Sequence, residues 1–379
     1  MKKKVPLRYH HIEPSVIPID RPPRIIICAV QIPFVKGGAE KHIDSLYQEL
    51  LRRNFDVDVV RIPFKWYPPR QILNDALAWR FIDLTQSNGL PVDLVITTRF
   101  PSYCLRHPRK IAWVLHQHRQ VYDLLNTEYS DFHDTTDDDH VRGLIYELDR
   151  RSLNECRKVF GNSQNVSQRM KKFLGIESEP LYHPPPLLGK YRCEEYGSFL
   201  LVVGRLEANK RVDLVVKALA ETKNPIHLKI AGQGPQMSQL KTLAQDLSVS
   251  ERIEFLGYVP DEALLDLYAH CGAVVYVPLD EDYGYITLEA FHSGKTVITT
   301  QDAGGVLEFV SDGESGIVSE ANPSSLSHAM DRWFSLSDQG RSLAEKGYSN
   351  IKSITWDYVI DRLTEQLRKS RSISRSGTV

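Results

Sequence analysis

Short apolar runs recur along the chain, each closed by glycine or polar residues and followed by a longer stretch with helical spacing of its apolar positions. In the first half they are Arg24 to Val30, Val57 to Arg61, Val92 to Thr97, Lys110 to Leu115 and Lys158 to Phe160. In the second half they are Phe199 to Val203, His227 to Ala231, Ile253 to Leu256, Gly272 to Pro278 and Thr296 to Thr299. The intervening periodicity predicts helices from Ala39 to about Arg53, over 71–86, 141–156 and 164–173, from about Arg211, over 261–269 and from Gly284 onward. The tail from about Ser324 is helical and ends in the amphipathic run Trp356 to Leu367. Strands that are apolar throughout are buried on both faces, and their alternation with helices predicts parallel, doubly wound sheets. The pattern restarts after the stiff, proline-rich 180–189, which reads as a linker. The expected architecture is therefore α/β, with two doubly wound Rossmann-like domains facing a cleft. They span 1–188, with a lead-in over 1–23, and 189–354, and the last helix within 355–379 packs back on the first.

Composition narrows the function. A chain of 379 residues exceeds what one core usually supports, in keeping with two domains. Forty-seven basic residues against 48 acidic ones leave a net charge of −1, so no global field calls for a nucleic-acid partner and any anion site is local. The five cysteines, Cys28, Cys104, Cys156, Cys193 and Cys271, are widely spaced without a CxxC pair. That argues against a disulfide framework or structural zinc and for a reducing cytoplasm. No apolar run reaches the roughly 18 residues of a spanning helix, and no signal-peptide pattern opens the chain. The basic ends, residues 1–4 and 368–375, read either as a contact with the inner face of an anionic membrane or as solvated, frayed termini.

Candidate chemistry gathers at predicted strand ends, where open α/β sheets place ligands. The strand at 110–115 runs into His116-Gln117-His118-Arg119, with Tyr122 beyond; the histidines are either structural or part of a site. Gly37-Gly38 opens a helix without the dinucleotide or P-loop fingerprint, and serves either close ligand approach or a simple turn. Arg205 and Lys210 follow the first strand of the second half and together suit a diphosphate, with no metal cluster beside them. From Glu281 to Glu289, a strand ends in a glycine turn that opens onto a helix N-terminus, with one carboxylate before the turn and one within the helix. Such a turn favours phosphate, although an ordinary connection with two solvated glutamates has the same appearance. The acidic segment 130–140, with Asp131, Asp134, Asp137, Asp138 and Asp139, has no fixed ligand spacing and reads as a solvated loop.

Taken in order, Gly37-Gly38-Ala39-Glu40, Gly204-Arg205-Leu206 with Lys210, Ala231-Gly232-x-Gly234-Pro235, Glu281-x7-Glu289 and Gly304-Gly305-x-x-Glu308 resemble the family 4 glycosyltransferases of the GT-B fold, from about residue 24 to about 360. Asp282 departs from the family, many of whose members have glycine there. The resemblance implies retaining transfer of a sugar from a nucleotide-sugar donor, without cofactor or required metal. It further implies a donor-binding second domain and an acceptor-side first domain. Carried over residue by residue, Glu289 holds the ribose, and Arg205 and Lys210 hold the diphosphate. Glu281 and the amides of Gly284 to Ile286 contact sugar and phosphates, Gly37 and Gly38 close over the donor, and His116 lies near the transferred sugar. Gly204, Gly232, Gly257, Tyr283 and Tyr285 complete the expected donor site. His118, Arg119 and Tyr122 are assigned to the acceptor side. The acceptor, whether glycan, lipid-linked saccharide or small molecule, stays open. Two other readings of the same architecture are a sugar-nucleotide epimerase and a non-catalytic sugar-nucleotide or glycan binder.

Overall fold

In the computed structural model, residues 21–34, 37–133, 135–336 and 338–375 are described, without the side chains of 338, 339 and 368–375. The basic ends at 1–4 and 368–375 thus lie outside the described residues or have only their backbone described. Six parallel strands, β1 (Arg24–Gln31), β2 (Asp56–Pro63), β5 (Leu94–Thr97), β6 (Lys110–Val114), β7 (Lys158–Gly161) and β8 (Glu179–Pro180), form a first sheet in the order β2-β1-β5-β6-β7-β8. A two-residue-strand hairpin, β3 (Gln86–Ser87) and β4 (Leu90–Pro91), stands apart from it. The second sheet is β9 (Phe199–Val203), β10 (His227–Ala231), β11 (Ile253–Gly257), β12 (Ala273–Val275), β13 (Thr296–Thr300) and β14 (Ile317–Ser319), ordered β11-β10-β9-β12-β13-β14 and also parallel. Each order reverses once, between β1 and β5 and between β9 and β12. Those reversals splay the loops apart and leave a crevice at the carboxyl ends of the strands.

Helices α1 (Gly38–Arg52), α2 (Pro69–Phe81), α3 (Thr136–Asn154) and α4 (Gln164–Leu174) connect the first sheet. Helices α5 (Val212–Glu221), α6 (Met237–Asp246), α7 (Asp261–His270), α8 (Tyr285–His292), α9 (Pro323–Ser335) and α10 (Asp338–Ile351) serve the second. The last helix, α11 (Trp356–Arg375), packs Trp356, Val359, Ile360, Leu363 and Leu367 into the first domain's core with Ile25, Ile27 and Leu94. Strands β5 and β6 are buried at every position, as expected of central parallel strands. Even Lys110 is buried there, because its ammonium donates to the carbonyls of Tyr103, Leu105 and Ser152 at 2.8, 2.8 and 2.9 Å and so satisfies its three donors.

Two local expectations need correction and a third gains detail. Helix α2 stops at Phe81 instead of running to 86, since Asn88-Gly89, both with positive φ, turn the β3–β4 hairpin. The acidic stretch is no loop beyond Thr135: Asp137, Asp138 and Asp139 occupy the first turn of α3, whose N-cap Thr135 accepts from the Asp138 N–H. Carboxylates at that end complement the helix dipole, which explains their clustering without a metal. Asp134 lies outside the described residues. The segment 180–189, read as a linker, is bolted to both domains: Leu181 sits in the first domain's core, while the Tyr283 hydroxyl donates to the His183 carbonyl at 2.6 Å and accepts from its N–H at 3.1 Å.

Candidate active site

A cleft of ≈ 720 Å³ runs between the two sheets, lined from both domains by loops at the carboxyl ends of their strands. On the second domain's wall, β9 ends at Gly204-Arg205, β10 at Gly232, and β12 leads through Tyr276 to Glu281 and Gly284. The Gly232 loop packs so closely that a Cβ there would lie 1.8 Å from the Gly204 carbonyl oxygen. Gly284, at φ +81°, supplies the left-handed turn that starts α8. The first N–H groups of that helix, at Tyr285 and Ile286, have no intrahelical partner, and both residues line the cleft.

The wall's charges are paired with one another. The Lys210 ammonium contacts Glu281 Oε2, which also accepts from the Tyr276 hydroxyl at 2.7 Å. Arg205, about half exposed, meets Glu207 at 2.7 Å and has freedom to turn toward a ligand. Glu289 is almost entirely buried and accepts from the Tyr268 hydroxyl at 2.7 Å; burial raises its carboxyl above the usual glutamate range, and the Tyr268 hydrogen bond only partly opposes this. Tyr283 and Tyr285 complete this wall.

From the first domain come Gly37, Gly38 and His116. A Cβ on Gly38 would be 3.4 Å from the Tyr285 ring, so α1 reaches across the cleft onto α8. His116 Nδ1 lies 2.7 Å from the Gln117 carbonyl, which can only accept. The ring's proton is therefore on Nδ1 and Nε2 presents a lone pair. Burial lowers the His116 pKa and nearby Asp282 opposes that shift, leaving a neutral imidazole at neutral pH. Among the described residues, no group of three His, Cys, Asp or Glu side chains could hold a metal ion.

The predicted donor residues thus converge, with one exception. Gly257 does not line the cleft; its carbonyl accepts from the Gly232 N–H at 2.8 Å, and Tyr258 is the lining residue there. None of the three residues expected on the acceptor side lines the cleft. His118 is buried among the rings of Phe64, Phe100 and Phe132, and burial lowers its pKa to about 4. Tyr122 is buried with its hydroxyl donating to Asp149 at 2.6 Å. Arg119 faces carboxylates at the domain boundary instead of the cleft. Sequence reasoning missed Arg99, Asn162, His42 and His183, all buried and all lining the cleft. Arg99 and Asn162 lie just past the ends of β5 and β7, so the strand-end rule could have found them. His42 and His183 lie on a helix and on the linker, and nothing in their spacing marks them.

The two six-stranded parallel sheets facing one cleft are the GT-B fold, shared with solved glycosyltransferase structures. Residues 190–350 match the family model of the glycosyl transferases group 1. An uncharacterized glycosyltransferase of Methanocaldococcus jannaschii is 33% identical over 144 residues, which is 37% of this chain and 36% of that protein. A D-inositol 3-phosphate glycosyltransferase of Acidothermus cellulolyticus is 28% identical over 397 residues, covering 90% of this chain and 87% of that one. The chain spans well under two thirds of the length of the first curated relatives it matches, 36% and 44% for two of them. An Anabaena protein solved in complex with UDP-glucose superposes with a TM-score of 0.68 at 15% identity, covering 91% of this chain and 99% of that chain. The region that matches the group 1 model contains the second domain's wall of the cleft from Gly204 to Glu289. No helix among the described residues is long and apolar enough to cross a membrane.

Proposed function

We propose that this chain is a retaining glycosyltransferase that moves a sugar from a nucleoside-diphosphate sugar to an acceptor without a required metal. One observation carries the reading. Two cations, Arg205 and Lys210, two carboxylates, Glu281 and Glu289, and the N-terminus of α8 share one wall of a cleft between the two sheets of a GT-B fold. Breaking the anomeric carbon–oxygen bond gives an oxocarbenium-like transition state and leaves extra negative charge on the diphosphate. Fixed cations and free helix N–H groups stabilise that charge as it develops, which is the role a divalent ion fills elsewhere. Glu289 receives the ribose hydroxyls, and Glu281 orients the sugar. His116, neutral with a bare Nε2, suits a hydroxyl donor on the sugar and not a phosphate. With no carboxylate assigned as nucleophile, attack on the same face within an ion pair accounts for retention.

The relatives' names support glycosyl transfer, the Anabaena protein solved with UDP-glucose supports a nucleotide-sugar donor, and the acceptor stays open. The chain's place would be the cytoplasm, with any membrane contact peripheral at the inner face. The test is a panel of uridine, guanosine and adenosine diphosphate sugars, read by release of free nucleoside diphosphate, with product stereochemistry by NMR. Release that falls about a hundredfold in Arg205→Ala supports the reading. An epimerised free sugar nucleotide would assign the chain to the epimerases instead, and tight binding without turnover would make it a binder.

A further inference from the structure

Five charged side chains meet where the two domains touch beside the cleft. Arg119, Asp123 and Arg169 belong to the first domain, and Asp280 and Asp282 to the second. Arg169 contacts the Asp282 carboxylate, lies 2.9 Å from Asp280 and reaches Asp123 at 3.4 Å. Arg119 lies 2.6 Å from Asp123, 3.2 Å from Asp280 and 3.7 Å from Asp282. Arg169 is 4% exposed, Arg119 11% and Asp282 17%, so water screens these pairs weakly and removal of one partner strands the others. The backbone joins in: the Ser163 hydroxyl donates to the Asp282 carbonyl, and Asn165 Nδ2 donates to Asp280 at 2.7 Å and to the Glu281 carbonyl at 2.9 Å. Nearby, the N-terminus of α4 clasps Glu308 of the second domain through the Gln164 and Asn165 N–H groups at 2.9 and 2.7 Å.

Asp280 and Asp282 flank Glu281. The loop that carries the donor-side carboxylate is therefore held on both sides by the first domain, which also carries His116. Asp282 is the position where the resemblance leads one to expect glycine, a residue with no side chain for such a bond. We propose that Asp282 is a positioning residue that locks the Glu281 loop onto Arg169 and Arg119 and thereby holds the two walls of the cleft in reactive register. The proposal rests on the glycosyl-transfer reading for its catalytic consequence and on the interdomain contacts alone for the lock itself.

Asp282→Gly, Asp282→Asn, Asp282→Glu, Arg169→Gln and the double variant Asp282→Asn/Arg169→Gln, each in the full chain, test it. Small-angle scattering without nucleotide should show a larger radius of gyration for Asp282→Gly and Asp282→Asn than for the wild type. With a turned-over donor, kcat should fall at least about tenfold while the Kd for the matching nucleoside diphosphate shifts less than about twofold. Asp282→Glu should recover part of kcat, and the double variant should lose no more than the worse single one. Unchanged compactness, or additive losses in the double variant, would overturn the lock. If the wild type turns over no nucleotide sugar, the functional reading fails, and the scattering comparison still decides the lock by itself.

Discussion

Glu289 sets two demands against each other, and pH separates them. Its carboxyl is almost entirely buried, it accepts from the Tyr268 hydroxyl at 2.7 Å, and burial raises its pKa above the usual glutamate value of 4.5. A carboxylate that accepts from ribose hydroxyls contributes a charge-assisted bond of about 1.5–3 kcal/mol, so its loss raises the Kd for nucleoside diphosphate about tenfold to a hundredfold. Glu289→Gln keeps the shape and one acceptor oxygen and removes the charge. Calorimetric titration of uridine, guanosine and adenosine diphosphates from pH 5 to 8.5 should show wild-type affinity weakening as pH falls toward the raised pKa, with a flatter profile for the variant. Stability carries the opposite sign. With the folded pKa raised, the group's contribution is fully present below pH 4.5 and is lost as pH rises through the folded value. Glu289→Gln should therefore bind nucleotide more weakly at pH 8 yet melt higher, relative to the wild type, than it does at pH 5. Equal affinity of both proteins across the range would remove Glu289 from the nucleotide site, and an unchanged melting difference would refute the burial argument.

Glu281→Ala should lower turnover about a hundredfold and leave nucleoside diphosphate affinity within a few fold, as steady-state kinetics beside titration would show; matching losses in both would erase the division between the two carboxylates. Gly232→Ala forces a Cβ to 1.8 Å from the Gly204 oxygen, so the β9 and β10 loops must separate. Chemical denaturation should register a loss of about 1–3 kcal/mol together with weakened donor binding, and a variant as stable as the wild type would contradict that packing. Asp149 is wholly buried, and burial raises its pKa from 3.8 to about 7. Its contribution to stability is present below pH 3.8 and lost as pH passes about 7, a swing of at most roughly 4 kcal/mol. Asp149→Asn should accordingly gain stability over the wild type at pH 8 and not at pH 4 in urea melts, and parallel pH curves would refute this.

Much of the fold was legible because the central strands, such as β5, β9 and β12, are apolar and several turns at the carboxyl ends of strands are marked by glycine. Gly204, Gly232 and Gly284 stand in the sequence where the backbone must approach a neighbour or reverse. The donor-side wall was legible for the same reason, since Arg205, Lys210, Glu281 and Glu289 follow strand ends within one continuous domain. Legibility failed where a role depends on segments remote in the sequence, in the same domain or in the other. His118 and Tyr122 looked like site residues only because they follow a strand end; the side chains that bury them, Phe64, Phe132 and Asp149, come from remote segments. Nothing on α4 announces that Arg169 will meet Asp280 and Asp282, because that contact is made by the docking of two units and by no local periodicity.

The same asymmetry bears on how the cleft works. The second domain's wall of the cleft satisfies its own charges, Lys210 against Glu281 and Arg205 against Glu207, and on the proposed reading a diphosphate would enter by exchanging partners with them. At the domain boundary Arg119 and Arg169 also pair with Asp280 and Asp282 across the gap, and those pairs hold only while the two domains are together. A donor that draws Lys210 away leaves Glu281 with Tyr276 as its remaining side-chain hydrogen-bond donor and its main chain tied to Asn165. In that state the orientation of Glu281 would be set jointly by the donor and by the first domain. On the proposed reading a loop held in this way would couple donor occupancy to domain register, and a glycine at 282 would leave that coupling to Asp280 and Asn165.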